Sequence, residues 1–496
     1  MSEANKSNRE PRMPKVWESC ITLAALIGVL AIGIVIFGAA VHVPMFVGVC
    51  VAALMALYLG HKWDSIEKMM MDGIYKALQS ICILIIVGIL IGVWINAGVV
   101  PTMIYYGLKI MHPAIFFIAA VLICSITSLA TGTSWGTMGT MGVALMGIGF
   151  GLDMNPAMTA GAILSGAYFG DKMSPLSDTT NLAPAMAGTD VIAHVKAMMI
   201  PTVVTYAITL VVFGVFGAMQ YHGGEADMSR VTEFAAALNA AEGGVFNINP
   251  ILLLPPVIVI VAVAMKMPAI PGITLGIFAG AVLGLIFQPN ACDLGTLFSF
   301  GMDGYAFSDE MRAVLQSSLT EDTYNTMVEL LEKGGIMNMM NSVAMTIIAM
   351  MFGGIMEGTH QLEVVVDKIK KLAKGPAGLV TLTEITCVIS NMTMPEQYIS
   401  IVVPGRMYAE EYRKMGLHPS VLSSALEGAG TVTSALVPWN TCGVFISDTL
   451  GVGVAQYGIY AIFNWLMPVV NATCAYIGIT LKDLDNKPYK KQAAAK

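Results

Sequence analysis

Residues 166–181 read GAYFGDKMSPLSDTTN, in a chain that is apolar for tens of residues on either side. The stretch holds two carboxylates, Asp171 and Asp178, the cation Lys172 and several hydroxyls, while Gly170 and Pro175 interrupt any regular helix. Lipid cannot satisfy such polar groups, so a segment of this kind at membrane depth lines a cavity or is buried in protein. We therefore interpret the stretch as half of an ion or substrate site.

The composition is that of a polytopic membrane protein. Of the 496 residues, 56% are hydrophobic and only 12% are charged, whereas about a quarter of a soluble domain is charged. The apolar runs are about 18–25 residues long, which suits membrane helices and exceeds the length of barrel strands. The eight cysteines have no CxxC spacing, which is typical of free thiols. The fold class predicted is an all-α polytopic membrane protein with about 11–13 helical segments.

The second half of the chain repeats the plan of the first. Each half has paired apolar spans joined by a tight turn, an amphipathic section, a further span and two broken regions. The tripeptide MDG at 71–73 precedes one span, and MDG at 302–304 precedes its counterpart. The predicted divisions are a cytoplasmic tail (1–17), a first transmembrane repeat (18–218), a polar external loop (219–249), a second transmembrane repeat (250–481) and a basic cytoplasmic tail (482–496).

Equivalent segments of the two halves differ in their cations. Residues 61–76 contain three lysines, whereas their counterpart, residues 290–334, contains two cations against eight acids. Conversely, residues 359–375 contain four lysines and residues 101–112 contain one. Because cations favour the cytoplasmic side, equivalent segments should face opposite sides, as in an inverted-topology transporter with broken helices or re-entrant hairpins. The chain is expected to lie in the bacterial inner (plasma) membrane, multi-pass, with both termini cytoplasmic.

Two broken regions in each half predict a site near the membrane midplane. They are residues 127–140 and 171–181 in the first half, and 390–398 and 427–440 in the second. An unwound helix exposes carbonyls to a cation, and a half-helix N-terminus presents N–H groups to an anion. Hydroxyl and carboxylate oxygens suit Na⁺, whereas transition metals prefer His and Cys, which do not cluster here. We expect Na⁺ at the site, no transition metal and no cofactor beyond the transported Na⁺ and H⁺.

Two sets of residues are predicted to form the site. The cation- and proton-binding set is Asp171, Asp178, Glu427, Thr131, Thr133, Ser134, Ser177, Thr179 and Asn181. The substrate-binding set is Ser174, Glu396, Thr431, Thr433, Ser434 and Asn440.

Several of these residues have a structural alternative. Asp171 could pair with Lys172 at a membrane face, and Asp178 could cap the following helix. Glu427 could be a loop-end glutamate in water, and the hydroxyls could bond their own helix. Lys172 could meet an anionic substrate or snorkel to the interface. Glu384, which lies in an apolar run, is interpreted as structural or peripheral.

Three long stretches resemble the Na⁺/H⁺ antiporter family of NhaC type. They are TGTSWGT at 131–137, FGDKMSPLSDTTNL at 169–182 and GTVTSALVPWNTCG at 430–443, and PGRMY at 404–408 is also similar to the family signature. The similarity covers nearly the whole chain after about residue 15. This family includes malate/lactate antiporters and belongs to the broader ion-transporter superfamily. The resemblance implies a secondary active transporter that moves Na⁺ and H⁺.

We predict Na⁺/H⁺ exchange by alternating access at shared carboxylates, and no enzymatic activity. The alternative is a Na⁺- or H⁺-coupled carrier of a small carboxylate of the malate/lactate type, or of an amino acid. The stretch MTMPE at 392–396 departs from the antiporter pattern and leaves that alternative open. The partners expected are Na⁺, H⁺, a small organic anion or amino acid, the lipid bilayer and a second copy in a homodimer, but no nucleic acid. A channel is disfavoured, since the chain has no charged ring or filter motif.

Overall fold

The computed structural model describes residues 11–220, 225–265, 267–394 and 396–489. Parts of both predicted tails and of the polar loop lie outside the described residues, as does one position, Pro395, of the second-half break. Throughout the described ranges the regular structure is helical, apart from isolated β-bridges. The all-α prediction is confirmed.

Within residues 11–220, the first half contains ten α-helices. They are α1 (Val16–Ala31), α2 (His42–Tyr58), α3 (Trp63–Asn96), α4 (Val99–Ile110), α5 (Phe116–Thr131), α6 (Ser134–Thr137), α7 (Val143–Gly151), α8 (Pro156–Met173), α9 (Asp178–Ala187) and α10 (Val191–Gln220). A π-helical turn, Met138–Gly142, joins α6 to α7.

The polar loop and the second half contain the remaining α-helices. They are α11 (Glu225–Leu238), α12 (Leu254–Ala264), α13 (Ala269–Phe287), α14 (Leu294–Asp303), α15 (Asp309–Ser318), α16 (Glu321–Leu331), α17 (Ile336–Gly358), α18 (Gln361–Ile369), α19 (Gly375–Thr393), α20 (Gln397–Lys414), α21 (Pro419–Leu426), α22 (Thr441–Leu450), α23 (Val454–Tyr457) and α24 (Ile462–Ile477). A π-helical turn, Glu427–Thr431, and a 3₁₀ turn, Val432–Leu436, lie between α21 and α22.

Several helices are long and apolar enough to cross a membrane. Among the described residues these are α3, α5 with its preceding turn, α10, α13 and α17. The segment Val454–Tyr460, which contains α23, and the helix α24 pass the same test together and are bent by 52° relative to each other, as in a broken span or a re-entrant loop. The shorter helices α1, α2 and α12 are also apolar. The chain is therefore a multi-pass membrane protein.

Two predicted boundaries differ from the structure. The amphipathic stretch and the third span form one helix of 34 residues, α3. Its buried positions recur every three or four residues from Ile66 through Ala77 to Leu84, so one buried face continues across the predicted boundary. The predicted last span, residues 457–481, is instead interrupted at Ala461 (ψ 63°), where α24 begins in a new direction.

One end of the molecule, here called the loop end, brings together the α7–α8 and α22–α23 connections. The Asn155 backbone N–H donates to Gln220 Oε1 at 3.1 Å. The rings of Phe216 and Tyr460 lie 5.9 Å apart. The polar loop that follows α10 starts at this same end.

Short helices from the polar loops cover the loop end. Tyr105 OH donates to Glu242 Oε1 at 2.6 Å, and Asn239 Nδ2 donates to the same oxygen at 3.1 Å. The hydrogen bond from Tyr105 is the main reason that the pKa of Glu242 is lowered. The Thr320 N–H donates to Glu233 Oε1 at 3.1 Å, which ties α16 to α11. Both helices also contact α7, so the loops form a folded layer.

The opposite end, here called the tail end, contains the α9–α10 and α20–α21 connections. A Cβ built on Gly188 would lie 3.1 Å from Arg413 Nη2. The His418 N–H donates to the Lys482 carbonyl at 3.0 Å. The α7–α8 and α20–α21 connections are equivalent in the two halves, as are those after α9 and α22. Each pair that the sequence repeat makes equivalent lies at opposite ends, as inverted topology predicts.

Candidate functional site

A helical hairpin from the first half reaches its tip at Gly132. Helix α5 ends there with a positive φ of 67°, and Thr133 begins α6 as its N-cap, accepting from the Gly136 N–H at 3.2 Å. A Cβ on Gly132 would lie 2.8 Å from atoms of Leu176. The close approach presses the hairpin tip against the break between α8 and α9.

The α8–α9 break is held by its own hydroxyl and amide groups. Ser174 Oγ donates to the Leu129 carbonyl of α5 at 2.8 Å. Asn181 Nδ2 donates to the carbonyls of Pro175 at 2.9 Å and Ser177 at 2.7 Å. The break is therefore an ordered turn, and the contacts of Ser174 and Asn181 are with its backbone or that of α5.

A cavity of about 460 Å³ lies between the hairpin tip and the break. Its other walls come from α3, the turn between α12 and α13, and the beginning of α20. Seven of the nine predicted cation-site residues line it: Thr131, Thr133, Ser134, Asp171, Ser177, Asp178 and Thr179. The two broken regions of the first half, residues 127–140 and 171–181, thus border the same cavity.

Asp171 is the buried carboxylate of this cavity, with 4% of its surface exposed. Ser134 Oγ donates to its Oδ2 at 2.7 Å, so the hydroxyl of the hairpin tip holds the carboxylate of the break. Asp178 stands in the first turn of α9 and is exposed at the cavity; Ser177 is the N-cap residue. Two carboxylates of different burial therefore face one hydroxyl-lined space.

Glu427 lies one hydrogen bond behind the cavity wall. It begins the π-helical turn of the second half and is fully buried, which excludes a loop-end glutamate in water. Thr179 Oγ1 donates to its Oε1 at 3.1 Å, and the Ser177 and Thr179 hydroxyls are 3.1 Å apart. The two hydroxyls connect Glu427 to the cavity.

The second-half break is organised by Asn391 of α19. Its Nδ2 donates to the Gly430 carbonyl at 2.8 Å and to Thr433 Oγ1 at 3.0 Å. Asn440 Nδ2 donates to the Asn391 carbonyl at 3.1 Å. Thr433 and Asn440 are therefore parts of a buried network that joins the breaks of the second half.

The rest of the predicted substrate set lies in the same buried layer. Thr441 Oγ1 donates to Glu396 Oε2 at 2.9 Å, and Ser434 Oγ donates to the Thr431 carbonyl at 2.6 Å and to Gln397 Oε1 at 3.5 Å. Gln397 itself lines the cavity. The second-half residues thus stand behind the cavity wall and support it.

The structure also places three ionisable side chains, Lys172, Glu427 and Glu384, in one buried cluster that the sequence did not predict. Lys172, next to Asp171 on α8, is fully buried and interacts electrostatically with Glu427 and Glu384. Asn471 Nδ2 of α24 donates to Glu384 Oε1 at 2.7 Å. The burial of Lys172 excludes a snorkelling anchor. The sequence signal was present: an acid inside an apolar run is functional by default in membranes.

The polar side chains that line the cavity offer mainly oxygen ligands, and its charged residues are Asp171 and Asp178. Within the described residues, no group of three or more His, Cys, Asp or Glu side chains is placed to bind a metal ion. Hydroxyls, carbonyls and carboxylates together suit a weakly bound hard cation. A carboxylate such as Asp171 can also take a proton in place of a cation.

Comparisons with known proteins agree with this chemistry. The model of the Na⁺/H⁺ antiporter family matches residues 166–479. The malate-2H⁺/Na⁺-lactate antiporter of Bacillus subtilis is 35% identical, over 96% of this chain and 96% of that protein. The Na⁺/H⁺ antiporter NhaC of Alkalihalophilus pseudofirmus is 34% identical, over 88% and 90%. The arginine/ornithine antiporter ArcD of Halobacterium salinarum is 31% identical, over 96% and 95%.

Proposed function

Because this chain belongs to the Na⁺/H⁺ antiporter family, we propose that it exchanges Na⁺ for H⁺ across the bacterial plasma membrane at the cavity around Asp171. The chain is a secondary transporter of antiporter type and not an enzyme. The observation that carries the proposal is the Asp171 carboxylate, buried, bonded by Ser134 and open to a hydroxyl-lined cavity.

Na⁺ and H⁺ compete for the same carboxylate oxygens in this proposal. A bare carboxylate is costly to bury, and either a proton or a cation removes that cost. The hydroxyls of Thr131 and Ser134 supply neutral oxygen ligands to Na⁺, while Asp178 adds negative charge at the cavity wall. Because one occupant excludes the other, movement of the loaded carrier in each direction couples the two fluxes.

A second candidate is an exchanger that also carries a small organic solute. Two relatives are named for malate, lactate, arginine or ornithine. The cavity of about 460 Å³ is far larger than a single ion and falls in the range of small-molecule sites. In this case Gln397 and Tyr398 provide contacts for the organic part, since both line the cavity.

Reconstitution separates the two candidates. The purified protein is placed in vesicles that contain a pH-sensitive dye, and a Na⁺ gradient is applied with and without malate, lactate, arginine or ornithine. Proton movement with Na⁺ alone supports the cation exchanger. Proton movement that requires one of the organic solutes overturns it in favour of the second candidate. Li⁺ and K⁺ gradients measure the cation selectivity.

A further inference from the structure

Behind the cation cavity lies a second layer of ionisable groups with no access to solvent. Lys172 and Glu427 are fully buried, and Glu384 is 3% exposed. Within the described residues, Lys172 Nζ and Glu427 Oε2 have no hydrogen-bond partner. The lysine interacts electrostatically with both glutamates, so the three side chains form one electrostatic unit between α8, α19 and the π-helical turn.

The charges of this unit do not balance when all three groups are ionised. One ammonium faces two carboxylates, which leaves one negative charge in a medium that tolerates only paired charges. Asp171 does not correct the imbalance, since it is another carboxylate and points to the cavity, where Ser134 bonds it. One bound proton restores neutrality, and the position for it is on a glutamate.

Among Glu384 and the described groups around it, Glu384 is the group to which we assign this proton. On its own helix Cys387 interacts with it, and Tyr412 of α20 does so from the adjacent helix. Asn471 of α24 donates to Oε1. His194 of α10 faces Lys172 and is bonded to Ser423 Oγ at 2.9 Å. Among these described neighbours, Lys172 is the cation that balances the carboxylates.

We propose that Glu384 is the residue that carries the exchanged proton, set apart from the Na⁺ cavity, with Lys172 as a counter-ion shared between Glu384 and Glu427. This inference rests on the proposed Na⁺/H⁺ exchange and replaces a single shared carboxylate by two separate sites. Na⁺ is held at Asp171, on the cavity face of α8. The proton is held at Glu384 of α19, which is buried and does not line the cavity.

Hydrogen bonds lead from the cavity as far as Glu427, and the charge of Lys172 lies between Glu427 and Glu384. Ser177 and Thr179 line the cavity, and Thr179 donates to Glu427 Oε1. A proton that enters from the cavity passes through these hydroxyls to Glu427. Lys172 Nζ has no hydrogen-bond partner in this arrangement, so its side chain must move to reach each carboxylate. In this proposal it gives one ammonium proton to Glu384 and regains one from Glu427, and the lysine ends in its original form. The chain of transfers conserves protons at each step.

The test compares Na⁺ exchange with proton coupling in the same vesicles. In Glu384→Gln the amide can accept the Asn471 hydrogen bond but cannot carry an exchangeable proton. Exchange of radioactive Na⁺ across the membrane should continue at the wild-type rate, while Na⁺-driven proton movement falls by about a hundred-fold. The control is Glu357→Gln on α17, whose carboxylate pairs with Lys76 at 2.5 Å outside this cluster, and which should change neither flux.

Two results would overturn the inference. Glu384→Gln that still couples Na⁺ to protons shows that the proton is carried elsewhere. Glu384→Gln that is inserted but loses radioactive Na⁺ exchange as well shows that Glu384 belongs to the Na⁺ site or only to the fold. If wild-type protein exchanges no Na⁺, the proposed function itself fails and the inference fails with it.

A second variant decides the matter if Glu384→Gln does not fold. Asn471→Leu removes the donor that stabilises the ionised form of Glu384, so Glu384 should keep its proton to higher pH. The pH of half-maximal proton movement should rise by about one unit, with radioactive Na⁺ exchange retained. An unchanged pH profile in this variant would contradict a proton site at Glu384.

Discussion

Two adjacent hydroxyls at the hairpin tip have different tasks. Thr133 Oγ1 accepts from the Gly136 N–H and caps α6, while Ser134 Oγ donates to the Asp171 carboxylate. Both side chains border the cavity. The choice between an ion ligand and a helix-bonding hydroxyl is therefore tested separately at each position.

Substitution of each hydroxyl should separate ion binding from stability. Ser134→Ala removes a contact of about 1 kcal/mol at the carboxylate, so the Na⁺ concentration for half-maximal flux should rise about five-fold. Thr133→Ala removes a cap, and should lower the free energy of unfolding by about 1 kcal/mol. Sodium titrations of flux and thermal melting in detergent, measured on both variants, provide the comparison.

A third variant, Asp178→Asn, provides a reference for the change in Na⁺ dependence of these two. Asp178→Asn removes charge as well as geometry, so its half-maximal Na⁺ concentration should exceed that of Ser134→Ala. If all three variants keep the wild-type Na⁺ dependence, the hairpin tip and the beginning of α9 do not belong to the Na⁺ site.

At the scale of elements, the cavity exists because two broken segments meet at one glycine. Gly132 has a positive φ, and a side chain there would lie 2.8 Å from atoms of Leu176. The hairpin of α5 and α6 therefore depends on glycine for its conformation and for its distance from the α8–α9 break. A wider separation would also move Ser134 away from Asp171.

Gly132→Ala should destabilise the protein and impair transport. The positive φ alone costs about 1–2 kcal/mol for alanine, and the contact with Leu176 adds to that. The matched control is Gly416→Ala, since Gly416 has φ +70° but no atom within 4 Å of a built Cβ. Equal destabilisation of the two variants in thermal melting would show that close packing at the tip is unimportant.

More of the predicted residues of the first half than of the second line the cavity, for a physical reason. Hydroxyls and carboxylates beside Gly132 and Pro175 marked breaks where polar groups converge, and most of them do line the cavity. Glu396 and Asn440 lie beside similar breaks, but they form buried hydrogen bonds behind the cavity wall. Composition alone does not reveal which side of a break faces the cavity. For Glu384, its place in an apolar run marks a polar group inside the membrane, but the sequence does not show that Lys172 of another helix interacts with it electrostatically.

At the scale of the whole molecule, the cavity and the covered end are on different sides. The turn between α12 and α13 borders the cavity, whereas the other ends of these helices lie at the loop end. Helices α11 and α16 cover the loop end. Inverted repeats offer two symmetry-related arrangements, which would open the site to opposite sides of the membrane in turn.

The inverted topology predicts which face each loop occupies. A cysteine at Ser317, exposed on α15, should react with a membrane-impermeant maleimide in intact cells. A cysteine at Lys374, exposed before α19, should react only after the membrane is opened. The wild-type chain, with its native cysteines, supplies the background. Labelling of both positions from the same side would contradict the orientation proposed from the loop charges.

The most direct test of Na⁺/H⁺ exchange at the Asp171 cavity is one measurement on three proteins. Radioactive Na⁺ exchange and Na⁺-driven proton movement are recorded in the same vesicles for wild type, Asp171→Asn and Glu357→Gln. We expect both activities in wild type and Glu357→Gln, and neither in Asp171→Asn. A correctly inserted Asp171→Asn protein that retains either activity would contradict the assignment of this cavity as the ion site.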